Sequence, residues 1–127
     1  MRKRLVSAFV LVVMVLSLGT AHAAPRWNKI WTCNSSFSIS GTTASCYLDV
    51  TADPGTKITA NIKVVRVNSN GSETPVCSWR NLTGTGSYTF DRTFTSSLLS
   101  PSGTYRMYYT VDADGVDYID NYVVYKK

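Results

Sequence analysis

Few side chains in this 127-residue chain are equipped for chemistry: seven aspartates, one glutamate (Glu73), three cysteines (Cys33, Cys46, Cys77) and one histidine, His22. Near neutral pH the commonest general base is histidine. His22 lies at the end of an N-terminal segment that reads as a cleavable leader, so the rest of the chain holds no Ser-His or Cys-His pair. Glycosidic hydrolysis needs two carboxyl groups, one of them raised in pKa by apolar surroundings. Glu73 stands beside a turn sequence, and no aspartate lies in an obviously apolar setting. Neither a phosphate-binding glycine loop nor a nucleophile elbow is present. The expectation is a protein that is not an enzyme and carries no cofactor. The densest acidic cluster is Asp112-Ala113-Asp114-Gly115-Val116-Asp117, with Asp120 beyond it. Several carboxylates on a tight turn could hold calcium. The glycine comes two positions early for an EF-hand loop and no glutamate closes it, so a solvated Asp-Gly turn is the expectation and no metal site is assigned. Zinc lacks a histidine ligand, and no C-x-x-C spacing offers thioredoxin-like chemistry.

The leader is Met1-Arg2-Lys3-Arg4, an apolar run from Leu5 to Leu18, and Gly19-Thr20-Ala21-His22-Ala23. A basic start, a short apolar stretch and a small-x-small ending form a secretory signal, here residues 1–23, with the mature domain spanning 24–127. The apolar run is too short for a membrane-spanning helix, which needs about 20 residues. No cysteine follows the cleavage site, which argues against a lipoprotein, and stable membrane insertion after cleavage is not expected. Three of the thirteen basic residues leave with the signal, so ten face eight acids, a net +2 rather than +5. The remaining cations are scattered, so nucleic acid is not an expected partner.

What must position any site is a set of short strands. Thr, Val, Tyr and Ser dominate, and Gly, Asn, Asp and Pro recur at turn-like intervals. A strand starts near Phe37–Ile39; the next, from about Ala44 to Thr51, turns Cys46, Leu48 and Val50 inward. The strand Lys57–Val67 buries Ile58, Ala60, Ile62 and Val64, and a break in phase at Val65 predicts a bulge. Pro75 marks an edge strand carrying Cys77 and Trp79 on one face. Asp114-Gly115 reads as a two-residue hairpin turn. That turn pairs Asp112 with Asp117, Met107 with Tyr122 and Tyr105 with Val124. One face then carries Tyr105, Met107, Tyr109, Val111, Tyr118, Tyr122 and Val124, the expected core. The outward face carries Arg106, Tyr108, Thr110, Ile119, Asn121 and Val123.

About seven strands with turns every 8–12 residues predict an all-β, single antiparallel β-sandwich of immunoglobulin-like or fibronectin-like type. Leu99-Ser100-Pro101-Ser102-Gly103-Thr104-Tyr105 has the composition of a tyrosine corner, in which the Tyr105 phenol would bond back to the preceding loop. With its leader, the segments Ile39-Ser40-Gly41-Thr42-Thr43-Ala44-Ser45-Cys46, Cys77-Ser78-Trp79 and Gly103-Thr104-Tyr105-Arg106, the chain resembles short secreted proteins of unassigned function from Gram-positive, clostridial-type bacteria. That resemblance implies an exported β-sandwich and carries no site residue across. Antibody-type domains have a cysteine two residues after the corner tyrosine; Met107 stands there, so the usual inter-sheet disulfide is absent.

In an oxidising compartment two of the three cysteines would pair, Cys33 with Cys46 in the first reading or Cys46 with Cys77 in the alternative. Cys33 with Cys46 requires a longer first hairpin loop than Ser40-Gly41-Thr42. Trp27 and Trp31 could cap an open end of the sandwich. The surplus of aromatic residues points to a binding patch of Tyr108, Arg106, Ile119, Asn121 and Val123, fit to stack on a sugar or dock a protein. The expected function is a secreted or envelope-associated binding module, monomeric, whose partner is a protein or a cell-surface polysaccharide. A small bacteriocin-like secreted effector is the alternative.

Overall fold

The computed structural model describes residues 27–127, so the expected signal peptide lies outside the described residues. Seven strands follow one another: β1 (Ile30–Ser40), β2 (Thr43–Ala52), β3 (Lys57–Val67), β4 (Glu73–Thr85), β5 (Ser87–Thr95), β6 (Thr104–Ala113) and β7 (Asp117–Lys126). Every pairing is antiparallel, in the order β1-β2-β5-β4-β3-β6-β7. β4 and β5 meet only at Thr85↔Ser87. The ladder therefore divides into a three-stranded sheet, β1-β2-β5, and a four-stranded sheet, β4-β3-β6-β7, packed as a sandwich. β4 has β3 as its partner along almost its whole length, which suits the edge position of Pro75.

Alternation builds the core. Ala44, Cys46, Leu48 and Val50 from β2 meet Ile58, Ala60, Ile62 and Val64 from β3 and Tyr105, Met107, Tyr109 and Val111 from β6, nearly all closed to solvent. Trp79 spans the gap where β4 and β5 do not pair, standing edge-on to Phe90 at 4.9 Å and to Phe94 at 5.7 Å. The expected bulge falls between Val64 and Val65, and a second lies between Ala60 and Ile62. At one pole the turns lace together: Ala52 N–H donates to Gly86, Gly86 N–H to Thr56, and Asp114 N–H to Lys57. There Asp117 also takes the backbone N–H groups of Asn28, Lys29 and Ile30 at 2.9, 2.6 and 2.9 Å, fastening the start of β1 to β7. At the opposite pole Tyr105, 1% exposed, donates its phenol to the Leu98 carbonyl (2.9 Å) and accepts from Ser100 N–H (2.8 Å). Trp31 does not cap the sandwich. It is 60% exposed on the first strand, with its indole N–H donating to Asp53.

The outward side of β1-β2-β5 is plain. From Thr32 onward each outward position is serine or threonine, except Asn34, Tyr47, Asp49 and Asp91, and none is lysine or arginine.

The last hairpin departs from the expected register. Asp114 and Gly115 do take positive φ (54° and 70°), and Val116 N–H closes the turn on the Ala113 carbonyl. The ladder resumes one residue later, however, with Ala113 opposite Asp117, Asp112 opposite Tyr118 and Met107 opposite Val123. Val116 is thus an extra loop residue, and by the two-residue period of a strand it turns all of β7 over. β6 keeps its expected core face. On β7 it is Ile119, Val123 and Tyr125 that pack against the core, while Tyr118, Tyr122 and Val124 are exposed at 63, 46 and 47%. The physical gain is visible at both ends of the strand. Asp117 reaches the β1 backbone at one, and at the other Tyr125 packs near Tyr105 and donates to the Pro101 carbonyl.

The expected disulfide is also corrected. The first hairpin turns tightly at Gly41-Thr42, with Ser40 opposite Thr43, which sets Cys33 across from Val50 and Cys46 across from Phe37. Four residues of offset is roughly 13 Å along a strand, beyond the ~7 Å Cα limit for a bridge. The alternative pair is not bonded either: Cys77 lies on the facing sheet, and all three thiols are free. Burial, with Cys77 adding to it, pushes the Cys46 thiol up to about 12; burial and then Asp49 push Cys33 up too. Because the thiolate is the reactive form, iodoacetamide at pH 8 is expected to modify half-buried Cys77 first and to spare Cys46 until the protein is denatured. Mass mapping of the labelled peptides checks this. Native labelling of Cys46 at the rate of Cys77 would contradict the packing, and fewer than three thiols in denaturant would contradict the pairing.

Candidate binding face

The site begins with alternation on β6. Residues of one parity (Tyr105, Met107, Tyr109, Val111) are buried, which forces Arg106, Tyr108 and Thr110 outward. Two members of the expected patch, Arg106 and Tyr108, therefore stand where the sequence reading put them. The other three do not join them: Ile119 and Val123 are half-buried on the core side of β7, and Asn121, exposed, has the same parity. In their place the turned-over strand supplies Tyr118, Asp120, Tyr122 and Val124. β3 adds Asn61 and Lys63, and β4 adds Glu73, Ser78 and Arg80.

The centre of this face is a tightly coupled group. Tyr108 and Tyr122 are cross-strand partners with ring centroids 5.4 Å apart. The Arg106 guanidinium lies 4.9 Å over the Tyr122 ring, and the Lys63 ammonium lies 5.5 Å from the Tyr108 ring. Cation–ring attraction at such distances is about 0.5–1 kcal/mol at exposed sites. Arg106 also donates to the Tyr108 hydroxyl (3.0 Å) and to Glu73 Oε2 (3.2 Å), while Tyr108 donates to the same Glu73 oxygen. The bond to Tyr108 is the main cause holding the Arg106 guanidinium above its usual pKa. Under this group Val65 is 2% exposed, paired between Arg106 and Pro75. The rings are thus held in place before any partner arrives, which lowers the entropy cost of binding.

Beside the cluster runs an open groove of about 570 Å³ whose side chains include Asn61, Lys63, Ser78, Arg80, Tyr108, Thr110 and Asp120. The bulge at Ala60/Ile62 lies along it: Arg80 and Asn81 on β4 face Asn61 alone. Asn81 takes φ 55°, uncommon for a residue with a side chain. Asn61 stabilises that kink by accepting from Asn81 N–H (3.0 Å) and donating to Thr110 Oγ1 (3.2 Å). Bulges re-aim side chains and are frequent near functional sites. Sequence alternation missed Tyr122 and Tyr118 because both phases of β7 contain apolar residues. It missed Asn61 and Arg80 because the bulge near them leaves only a slight trace in the sequence.

The acidic cluster serves the fold. Asp112 accepts from Gly115 N–H, Asp114 from Lys57 N–H, and Asp117 from the β1 backbone. Among the described residues no group of three or more His, Cys, Asp or Glu side chains is placed to hold a metal ion, and no helix is long and apolar enough to cross a membrane.

Fold and face together define a small all-β sandwich with a ring-and-cation platform and an open groove on one outer sheet. No family model matches the chain, and no curated protein matches it. Among solved structures, the sporulation control protein Spo0M from Bacillus subtilis is similar at 14% identity with a TM-score of 0.45, over 72% of this chain and 46% of that one. This chain thus spans under half of that neighbour's length, and a likeness so slight carries no argument about function.

Proposed function

We propose that the protein is an exported, non-enzymatic binding module that works outside the cell or in its envelope, and that it holds its partner on the outer face of β4-β3-β6-β7. The single observation that carries this reading is the preformed cluster of Tyr108, Tyr122, Arg106, Lys63 and Glu73, which lies outside the core between the two sheets, covers only Val65, and holds its rings at the surface through contacts among its own members. Export is supported by the leader at residues 1–23. An immunoglobulin-like, fibronectin-type assignment is supported by the placement of β4 beside β3 and by the tyrosine corner at Tyr105. The partner that fits best is a polysaccharide: the residues of outward parity along the groove (Asn61, Lys63, Ser78, Arg80, Thr110, Asp120) carry groups that can hydrogen-bond sugar hydroxyls, and the Tyr108 ring beside them offers a face for a sugar to stack on. The mature protein, incubated with purified envelope polysaccharide, is expected to be retained, and Tyr108→Ala is expected to weaken retention about five- to tenfold. Thr93→Ala, on the opposite sheet, is expected to change nothing. If Tyr108→Ala bound as well as the unaltered protein, the face would be misassigned.

A further inference from the structure

On the basis of that proposed face, we infer that the bulge groove is a subsite for an acidic saccharide: a sugar ring packed beside Tyr108, with its carboxylate or phosphate held between Lys63 and Arg80. Three independent features converge on this. First, two cations occupy neighbouring positions and neither is held by a carboxylate among the described residues. Lys63 is opposite Ser78, and Arg80 lies two residues further along β4, a diagonal neighbour across the ladder, at a spacing of about 7–8 Å. Both are exposed, and neither takes part in the ion pair found among the described residues, Arg106 with Glu73. Cations on neighbouring positions repel each other; an anion between them would accept a charge-assisted hydrogen bond from each. Arginine adds a planar fork that matches a carboxylate or phosphate edge.

Second, the backbone is shaped for it. The groove runs past the bulge at Ala60/Ile62, and Asn61, Arg80 and Asn81 at that bulge line it. The bulge is held by an uncommon conformation at Asn81, which Asn61 fixes with its side-chain oxygen. A left-handed residue inside a strand persists where the surroundings over-determine it, and such places gather at ligand sites.

Third, the charge on the molecule is sorted. The outward positions of β1-β2-β5 from Thr32 carry Asp49 and Asp91 and no cation, whereas Lys63, Arg80 and Arg106 all stand on this face. Its carboxylates, Glu73, Asp112 and Asp120, do not cancel that pattern: Glu73 is committed to Arg106 and Tyr108, Asp112 accepts from Gly115 N–H at the end of the sheet, and Asp120, on β7, lines the far wall of the groove. Asp120 then suits a sugar hydroxyl, and it excludes the acid from its own side, which sets the orientation of the ring.

Binding of the mature protein to three immobilised glycans tests the inference: polygalacturonate, poly(glycerol phosphate) teichoic acid and neutral dextran. Binding to at least one acidic glycan is expected, at least about tenfold tighter than to dextran and weaker in raised salt. The double variant Lys63→Gln/Arg80→Gln is expected to lose about tenfold or more on that glycan, while Lys63→Arg keeps most of it. Both positions are exposed, so the melting temperature serves as a control for folding. Preference for polygalacturonate assigns a sugar carboxylate, and preference for teichoic acid assigns a phosphate; either outcome supports the subsite. Binding to dextran as tight as to both acidic glycans, or a folded double variant that binds unchanged, overturns it. If Tyr108→Ala abolished envelope binding while the double variant did not, the face would stand and the acidic subsite alone would fall.

Discussion

Gly103→Ala and Tyr105→Phe are each expected to lower the melting temperature of this domain by roughly 5–20 °C. The two act on one device. An added Cβ at Gly103 would come within 2.7, 2.8 and 2.9 Å of Cε2, Oη and Cζ of Tyr105, all closer than real Cβ contacts allow. Tyr105 cannot step aside, because its ring is closed in the core and its hydroxyl is fixed at both ends, to Leu98 and to Ser100. Overpacking against such a neighbour costs about 1–3 kcal/mol. In Tyr105→Phe the ring stays but the Leu98 carbonyl and the Ser100 N–H lose their partner, which costs about 1–3 kcal/mol when the groups remain shielded from water. For about 100 residues each kcal/mol moves the midpoint by some 4–8 °C. Because the residues touch, the double variant should fall short of the sum of the single effects. Thermal melts of the three variants check this. A Tyr105→Phe midpoint within a degree or two of the parent would mean that the corner contributes no stability.

The second large effect is expected at Asp117. Asp117→Ala strips the acceptor from three successive N–H groups, those of Asn28, Lys29 and Ile30, at the seam where β1 joins β7. A midpoint at least about 5 °C lower is expected, together with faster amide exchange confined at first to the start of β1. Asp117→Asn keeps one acceptor oxygen and should fall between. The pH dependence follows from the direction of the shift. Desolvation at this site pushes the carboxyl up, but the three backbone donors and Lys29 outweigh it, so it titrates below its ordinary value of 3.8. A carboxyl lowered in the folded state contributes its stability above the unfolded value. That contribution is lost as the pH falls from about 4 through the lower native value. The midpoint difference between the parent and Asp117→Asn should therefore be constant above about pH 5 and shrink toward zero in strong acid. A difference that stayed level down to pH 2 would show that the ionised carboxylate is not what holds the seam.

The legible parts of this molecule in its sequence were those where one period dominates. On β2, β3 and β6 a single parity is apolar, so Leu48, Ile62 and Met107 could be placed inward and Tyr108 outward from residue types alone. The Gly103-Thr104-Tyr105 spacing marked the corner because it requires a glycine beside a buried phenol. β7 was not legible. Its two parities, Ile119-Val123-Tyr125 and Tyr118-Tyr122-Val124, are about equally apolar, so the choice fell to the loop, and one unpaired residue, Val116, reversed it. The cysteines failed for a related reason: a two-residue turn at Gly41-Thr42 sets a register four residues away from the one a bridge would need. The groove lies at a bulge whose trace in the sequence is slight: on β4 the apolar residues step from Trp79 to Leu82, one residue out of the two-residue period, with Arg80 and Asn81 between them.

The unadorned hydroxyl side of β1-β2-β5 completes the picture of how such a molecule would behave in a crowded medium. A sheet face made mostly of serine and threonine keeps its water and offers a neighbour one ring, Tyr47, and no outward cation to hold, and the carboxylates on it make two copies repel rather than stack. The protein accordingly has a front and a back. With the proposed face turned to a partner, the surface left toward the surroundings is this hydroxyl-rich sheet, a coating rather than a bridge.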